Sequence, residues 1–243
     1  MSKVVIITGG GRGIGAATAQ LLAGQGYAVG VNYLKNQEAA QSVVSAIRAA
    51  GGRAVAVQAD VSNEAEVDAL FEKTQQALGQ VTHLVNNAGI LFTQSTLAEI
   101  STERFQKVLT TNVMSAFLCA KAFIHQCQGP GAIVNVSSGA AKSGSPFEYV
   151  DYAASKGAMD TMTKGLSLEL AGQGIRVNGV RPGFIHTDMH ADGGEPGRVE
   201  RLAPQIPLKR GGTPKEVAQA IVWLLSDEAS YVTGSFIDLA GGR

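Results

Sequence analysis

A chain of 243 residues, 45% hydrophobic, is long enough to bury a substantial core as one domain, 1–243, and does not require two. Its 20 basic and 20 acidic side chains cancel, which excludes the electrostatic case for binding nucleic acid or an anionic membrane. The apolar run near the N-terminus is too short for a signal peptide or a bilayer span, so a soluble cytoplasmic protein is expected.

The first predicted strand, 4–7, runs into Thr8-Gly9-Gly10-Gly11-Arg12-Gly13-Ile14-Gly15-Ala16 and then helix 14–25. Read from Gly11, the turn has the G-x-G-x-x-A form of a dinucleotide fingerprint: glycines allow a tight turn and close backbone approach, and the helix N-terminus presents free N–H groups to a pyrophosphate. The second strand, 28–31, leads into Asn32-Tyr33-Leu34-Lys35. A carboxylate there would bind a ribose 2′-hydroxyl and repel a 2′-phosphate. The first acid is Glu38, and the cations Arg12 and Lys35 lie within reach of a 2′-phosphate. NADP(H) is favoured and NAD(H) stays open, with Asn32, Tyr33 and Lys35 as contacts.

Helix 37–50 and strand 54–57 follow, then Asp60, Ser62 or Asn63 as a cap for helix 64–78, which Gly79 ends. Strand 83–85 delivers Asn86-Asn87-Ala88-Gly89. In helix 102–126, Asn112 sits amid Val108, Leu109, Val113 and Phe117, where a buried amide needs a partner. Cys119 and Cys127 lie roughly 12 Å apart along that helix, too far for a disulfide. Strand 132–136 ends in Ser137-Ser138, and helix 152–171 opens on Tyr152-Ala-Ala-Ser-Lys156, which sets a phenol and an ammonium on one helix face. A nearby ammonium favours phenolate, which would bring the tyrosine pKa down from about 10 and make it a general acid/base. After strand 176–180, the stretch 183–213 is rich in proline and glycine and lacks periodicity, as expected of a substrate lid. Helix 214–225 and strand 235–239 complete the chain. Strand and helix alternate throughout, most strands being uniformly apolar, so an α/β, Rossmann-like doubly wound parallel sheet of about seven strands is predicted, with helices on both faces. Ligands of such sheets bind at the carboxyl ends of the strands.

The set Thr8-Gly9-x-x-x-Gly13-x-Gly15, Asn86-Asn87-Ala88-Gly89, Asn112, Ser138, Tyr152-x-x-x-Lys156 and Pro182-Gly183-x-x-x-Thr187 resembles the short-chain dehydrogenase/reductase family along the whole chain. The resemblance implies that Tyr152 exchanges a proton with a carbonyl or alcohol oxygen as hydride passes between nicotinamide and carbon. It further implies that Lys156 lowers the Tyr152 pKa and binds the nicotinamide ribose, that Ser138 holds the substrate oxygen, and that Asn112 positions a water for proton relay. By the same resemblance Asp60 and Val61 contact adenine, Asn86, Ala88 and Gly89 flank the adenosine side, and Ile185 and Thr187 fix the carboxamide beside Pro182 and Gly183. Ser138 and Tyr152 are fourteen apart, one more than the commonest family spacing, and Ser137 would widen the gap. Tyr149 lacks a lysine four residues on, and His186 and His190 lack a third metal ligand, so no metal is expected.

The implied partner is a small carbonyl or alcohol substrate, and family members are usually homotetramers. A beta-ketoacyl-carrier-protein reductase fits the same motifs. A non-catalytic NADP(H)-binding sensor or scaffold would have no chemical need for Asn112, Ser138, Tyr152 and Lys156 together.

Overall fold

A computed structural model describes residues 3–243. β1 (Val4–Ile7), β2 (Ala28–Tyr33), β3 (Arg53–Gln58), β4 (His83–Asn86), β5 (Gly131–Val136), β6 (Ile175–Pro182) and β7 (Phe236–Leu239) form one seven-stranded sheet in the order β3-β2-β1-β4-β5-β6-β7. Every neighbouring pair is parallel. The helices are α1 (Gly13–Gly24), α2 (Gln37–Ala49), α3 (Glu64–Leu78), α4 (Thr102–Leu109), α5 (Ser115–Gln126), α6 (Ala140–Ser143), α7 (Val150–Leu170), α8 (Met189–Asp192), α9 (Arg198–Leu202) and α10 (Pro214–Leu225).

Side chains alternate across a strand, so β1 sends Val5 and Ile7 to one face and Val4 and Ile6 to the other. The first pair packs with Leu22 of α1, Val43 of α2 and Ile221 of α10. The second packs with Leu70 and Phe71 of α3 and Phe123 of α5. β1, β4 and β5 are buried along their whole length, so β1 is entirely apolar and the polar side chains His83, Asn86 and Asn135 of β4 and β5 are buried ones. Helix starts follow local chemistry: Asn36, Asn63, Ser101 and Thr213 each accept a first-turn backbone N–H of α2, α3, α4 and α10.

Two predicted elements differ. Helix 102–126 is interrupted by a π-type turn, Thr110–Met114, that carries the buried Asn112. Such a widened turn re-aims a side chain that a regular helix would leave among its apolar neighbours, and it recurs at functional sites. By length and composition the run Thr102–Gln126 is apolar enough to cross a membrane, but half of its most apolar 18-residue window is buried, with Cys119, Ala122 and Phe123 packed on the sheet. The aperiodic stretch 183–213 contains α8 and α9, each too short for a helical period to show in sequence.

Candidate active site

Because the strands are parallel, their carboxyl ends share one edge, and the order reverses between β1 and β4. There the turn after β1 meets the segment after β4. Thr8 Oγ1 accepts the N–H groups of Asn87 and Ala88, each at 2.9 Å, and Asn87 Nδ2 donates to the carbonyls of Thr8 (2.9 Å) and Gly9 (3.1 Å). Thr8 and Asn87 thus tie the two strand ends together, a role the motif letters do not reveal.

The glycine turn is shaped by approach and conformation. Gly13 has φ +53°, and a β-carbon on Gly15 would collide with the Gly9 carbonyl oxygen and lie 2.7 Å from Asn87 Nδ2. Gly11 lies against Ala40 of α2, and the Thr187 methyl stands 3.4 Å from where a Gly13 side chain would begin. No side chain caps α1 and its first turn carries no acid, so its positive end is left to the cleft beside Ile14. The turn therefore fits a dinucleotide pyrophosphate.

Several expected cofactor residues point elsewhere. Asn32 is buried: its Oδ1 accepts Gly9 N–H at 3.2 Å and its Nδ2 donates to the Ala59 carbonyl at 3.0 Å, so the amide braces the turn and does not face the ribose. Asn86 turns into the core, donating to Asn135 Oδ1 at 2.9 Å. Arg12 pairs with Asp192 at 2.5 Å and Asp188 at 3.8 Å, both in 183–213. These contacts are solvent-exposed and weak enough for a phosphate to compete with. Lys35 is exposed and Tyr33 half-buried at the end of β2. Asp60 accepts the hydroxyl and N–H of Ser62, the hydroxyl bond foremost in holding its carboxyl below the usual range. Val61 and Ile185 are buried. Ala88 continues the strand tie, while Pro182 pairs with Leu239 and Gly183 passes close against Ala240.

Ser138, Tyr152 and Lys156 converge on a cleft of about 600 Å³. Ser138 borders the cleft beside Tyr152 and its Oγ accepts the Ala140 N–H at 3.1 Å, whereas Ser137 is buried and donates to the Lys156 carbonyl at 3.3 Å. Burial pushes the Tyr152 pKa up to about 12, opposed by the nearby Ser138 hydroxyl, so the expected lowering by Lys156 is not found. Lys156 Nζ lies 5.6 Å from the Tyr152 ring centre and donates to the Val136 carbonyl at 2.8 Å. Burial brings its pKa down to about 8, opposed by Asp160.

Asn112 Oδ1 accepts Ile90 N–H at 2.8 Å, and its Nδ2 donates to the Ile90 carbonyl (3.1 Å) and to Ser155 Oγ (3.1 Å), which in turn donates to the Tyr152 carbonyl at 2.7 Å. A β-carbon on Gly89 would stand 3.3 Å from Asn112 Oδ1 and 3.6 Å from Lys156 Nζ. Leu91, Ser145, Tyr149, Met189 and His190 wall the cleft. The buried Arg198 also lines it, a position without any periodic signal in sequence.

A family model described as Enoyl-(Acyl carrier protein) reductase matches residues 9–243. Over 99% of both chains, 60% of residues are identical to the Uncharacterized oxidoreductase YgfF of Escherichia coli K12. The chain is a short-chain dehydrogenase/reductase. This short-chain dehydrogenase/reductase is also 42% identical to the 3-oxoacyl-[acyl-carrier-protein] reductase of Synechocystis, across 99% of this chain and 96% of that one. A short chain dehydrogenase from Burkholderia cenocepacia, solved in complex with NADP, matches with a TM-score of 0.92 and 33% identity over 99% of this chain and 97% of its own. As a member of the family, the chain is an NAD(P)-dependent oxidoreductase of the carbonyl/alcohol type.

Proposed function

We propose that the chain is an NADP(H)-dependent reductase of small carbonyl compounds, or the reverse alcohol dehydrogenase, in which Tyr152 is the general acid/base. The observation that carries this reading is the convergence of Ser138, Tyr152 and Lys156 on one cleft, with Asn112 tied through Ser155 to the Tyr152 carbonyl. Nicotinamide, when bound, supplies or accepts the hydride. Ser138 holds the substrate oxygen, the Tyr152 phenol gives it a proton, and the Lys156 ammonium binds the nicotinamide ribose. Gly9, Gly11, Gly13, Ile14 and Gly15 cradle the pyrophosphate; Asp60, Val61, Ala88 and Gly89 flank the adenosine side, while Pro182, Gly183, Ile185 and Thr187 border the nicotinamide. In this reading residues 1–243 act as one catalytic domain and 183–213 forms its lid, reaching the cleft through Met189, His190 and Arg198.

The test is the nicotinamide absorbance change over a panel of carbonyls and alcohols, with NADPH and NADH in parallel. Turnover that disappears in Tyr152→Phe supports the reading; nucleotide binding without turnover on any compound favours a sensor. The 42% identity to a 3-oxoacyl-[acyl-carrier-protein] reductase supports a second reading, so a beta-ketoacyl thioester belongs in the panel.

The preference for NADP(H) rests on Lys35, on an exposed Arg12 and on the lack of an acid at the end of β2. Tyr33→Asp is expected to weaken NADPH relative to NADH by about tenfold or more, since like charges near 4 Å at a protein surface repel by about 1–4 kcal/mol. Asn32→Asp is expected to weaken both cofactors by disturbing the turn. Dissociation constants for the two nucleotides decide this, and an unchanged ratio in Tyr33→Asp removes the assignment.

A homotetramer is supported by exposed Met114 and Phe117 at the α4–α5 run, Leu168 on α7, and the outer edge of β7 beside Trp223 and Tyr231. Light scattering should give four times the 25.2 kDa of one chain. A cytoplasmic location is supported by the unbridged Cys119 and Cys127.

A further inference from the structure

We propose that Arg104 and Asp151 form a positioning pair that sets the catalytic tyrosine against the substrate-facing loop 89–96. The proposal rests on Tyr152 acting as the acid. Asp151 immediately precedes it, in the first turn of α7, a helix without a side-chain N-cap. Its carboxylate is 1% exposed, and Oδ1 accepts the Tyr152 N–H at 2.9 Å. From α4, Arg104 reaches it with two donors, Nε to Oδ2 at 2.7 Å and Nη2 to Oδ1 at 3.3 Å. The third arm, Nη1, donates to the Thr93 carbonyl at 2.7 Å, and the guanidinium stands 5.6 Å from the Phe92 ring centre. One rigid fork therefore joins α4, the residue beside the acid, and a loop that carries Leu91 into the cleft.

That loop is gripped from two further directions. Ser95 N–H donates to the Glu148 carbonyl at 3.0 Å, and Gln94 Nε2 donates to Glu195 Oε2 at 2.6 Å, while Glu195 and Glu148 both bind Arg198 in the cleft wall. A shift of the loop is thereby transmitted through Arg104 to the start of α7. A buried ion pair is poor value as pure stabilisation, because two well-packed apolar side chains serve as well. What it supplies is direction: the planar fork fixes both partners in a way that one ammonium cannot. Small misplacements of a reacting group are costly, about 10²-fold for 1 Å.

The test uses Arg104→Met, Asp151→Asn, the double variant and Arg104→Lys in the full-length protein. It measures kcat and KM on whichever carbonyl compound the wild type reduces, the Kd of NADPH, and amide hydrogen exchange. Arg104→Met is expected to lower kcat about 10- to 100-fold with the Kd of NADPH unchanged, because the glycine turn shares none of these contacts. Arg104→Lys should restore part of the loss, and the double variant should be no worse than the poorer single one. Exchange should quicken in both 90–96 and 150–156 in either single variant. Losses that multiply in the double variant, a kcat within about twofold of wild type, or quickening of only one segment would overturn the pairing. If Arg104→Met does not fold, Arg104→Lys and Asp151→Asn are read by the same criteria. A wild type that reduces nothing would sink the catalytic reading alone, and exchange would still decide the coupling.

Discussion

Replacing Tyr152 by phenylalanine is expected to lower kcat by about 10²–10⁴-fold, the usual contribution of a positioned general acid and equivalent to about 3–5 kcal/mol of barrier. NADPH should bind as before. The substitution removes one oxygen and leaves the ring, so the packing at the start of α7 and the Lys156 contact with the Val136 carbonyl are preserved. What is lost is the proton that a developing alkoxide needs, on the phenol that shares the cleft with Ser138. Burial, by pushing the phenol pKa up to about 12, keeps this proton in place throughout the neutral range. Lys156 retains most of its charge at pH 7 and loses it as pH rises through about 8. Stopped-flow or steady-state absorbance at the nicotinamide band, beside a fluorescence titration of NADPH, checks both halves. Turnover above about a tenth of wild type would require another acid.

Much of this site was legible because each motif follows a strand, and parallel strands must deliver their ends to one edge. The alternation of apolar runs and helical periods specified that edge, and Gly13, Gly15, Ser138, Tyr152 and Lys156 fall on it as expected. Side-chain direction was less legible. Asn32 and Asn86 lie at strand ends like their neighbours, yet each amide is engaged inside the protein, the Asn32 Oδ1 by the Gly9 N–H and the Asn86 Nδ2 by Asn135 across β4 and β5. A strand's last residue faces core or cleft according to the pleat, and a one-residue offset reverses the answer. The π-type turn at Asn112 was equally hidden, because the apolar residues around it satisfy a regular helix as well as a widened one. Arg104–Asp151 and Arg198–Glu148 are sequence-distant ion pairs that arise only from packing, and charge pairs of that kind leave no periodic trace.

Acidification from pH 6.5 to 4 is expected to cost about 3 kcal/mol of folding stability through His83 alone. This histidine begins β4 at the end of the sheet opposite the cleft, 5% exposed, with its ring edge-on to Tyr27 at 5.2 Å and Nδ1 2.8 Å from the Thr82 hydroxyl. Burial, reinforced by the cations Lys3 and Arg176, takes its pKa down to about 4, with Asp227 and the Leu225 carbonyl acting weakly the other way. The folded state therefore binds no proton there until pH nears 4, whereas the unfolded chain takes one up near 6.5. Between those values the unfolded state holds more protons, so stability falls as pH falls and the full contribution is present above 6.5. The half-buried His190 also has a lowered pKa, chiefly by burial, and adds loss of the same sign in 183–213. Urea unfolding at pH 7 and pH 4.5 measures the slope, and His83→Gln should flatten it without changing turnover at pH 7. An unaltered slope in that variant would show that the acid sensitivity lies elsewhere. The same low-dielectric core thus acts in two ways: beneath the strands it holds an imidazole neutral for stability, and above them it holds a phenol protonated for chemistry.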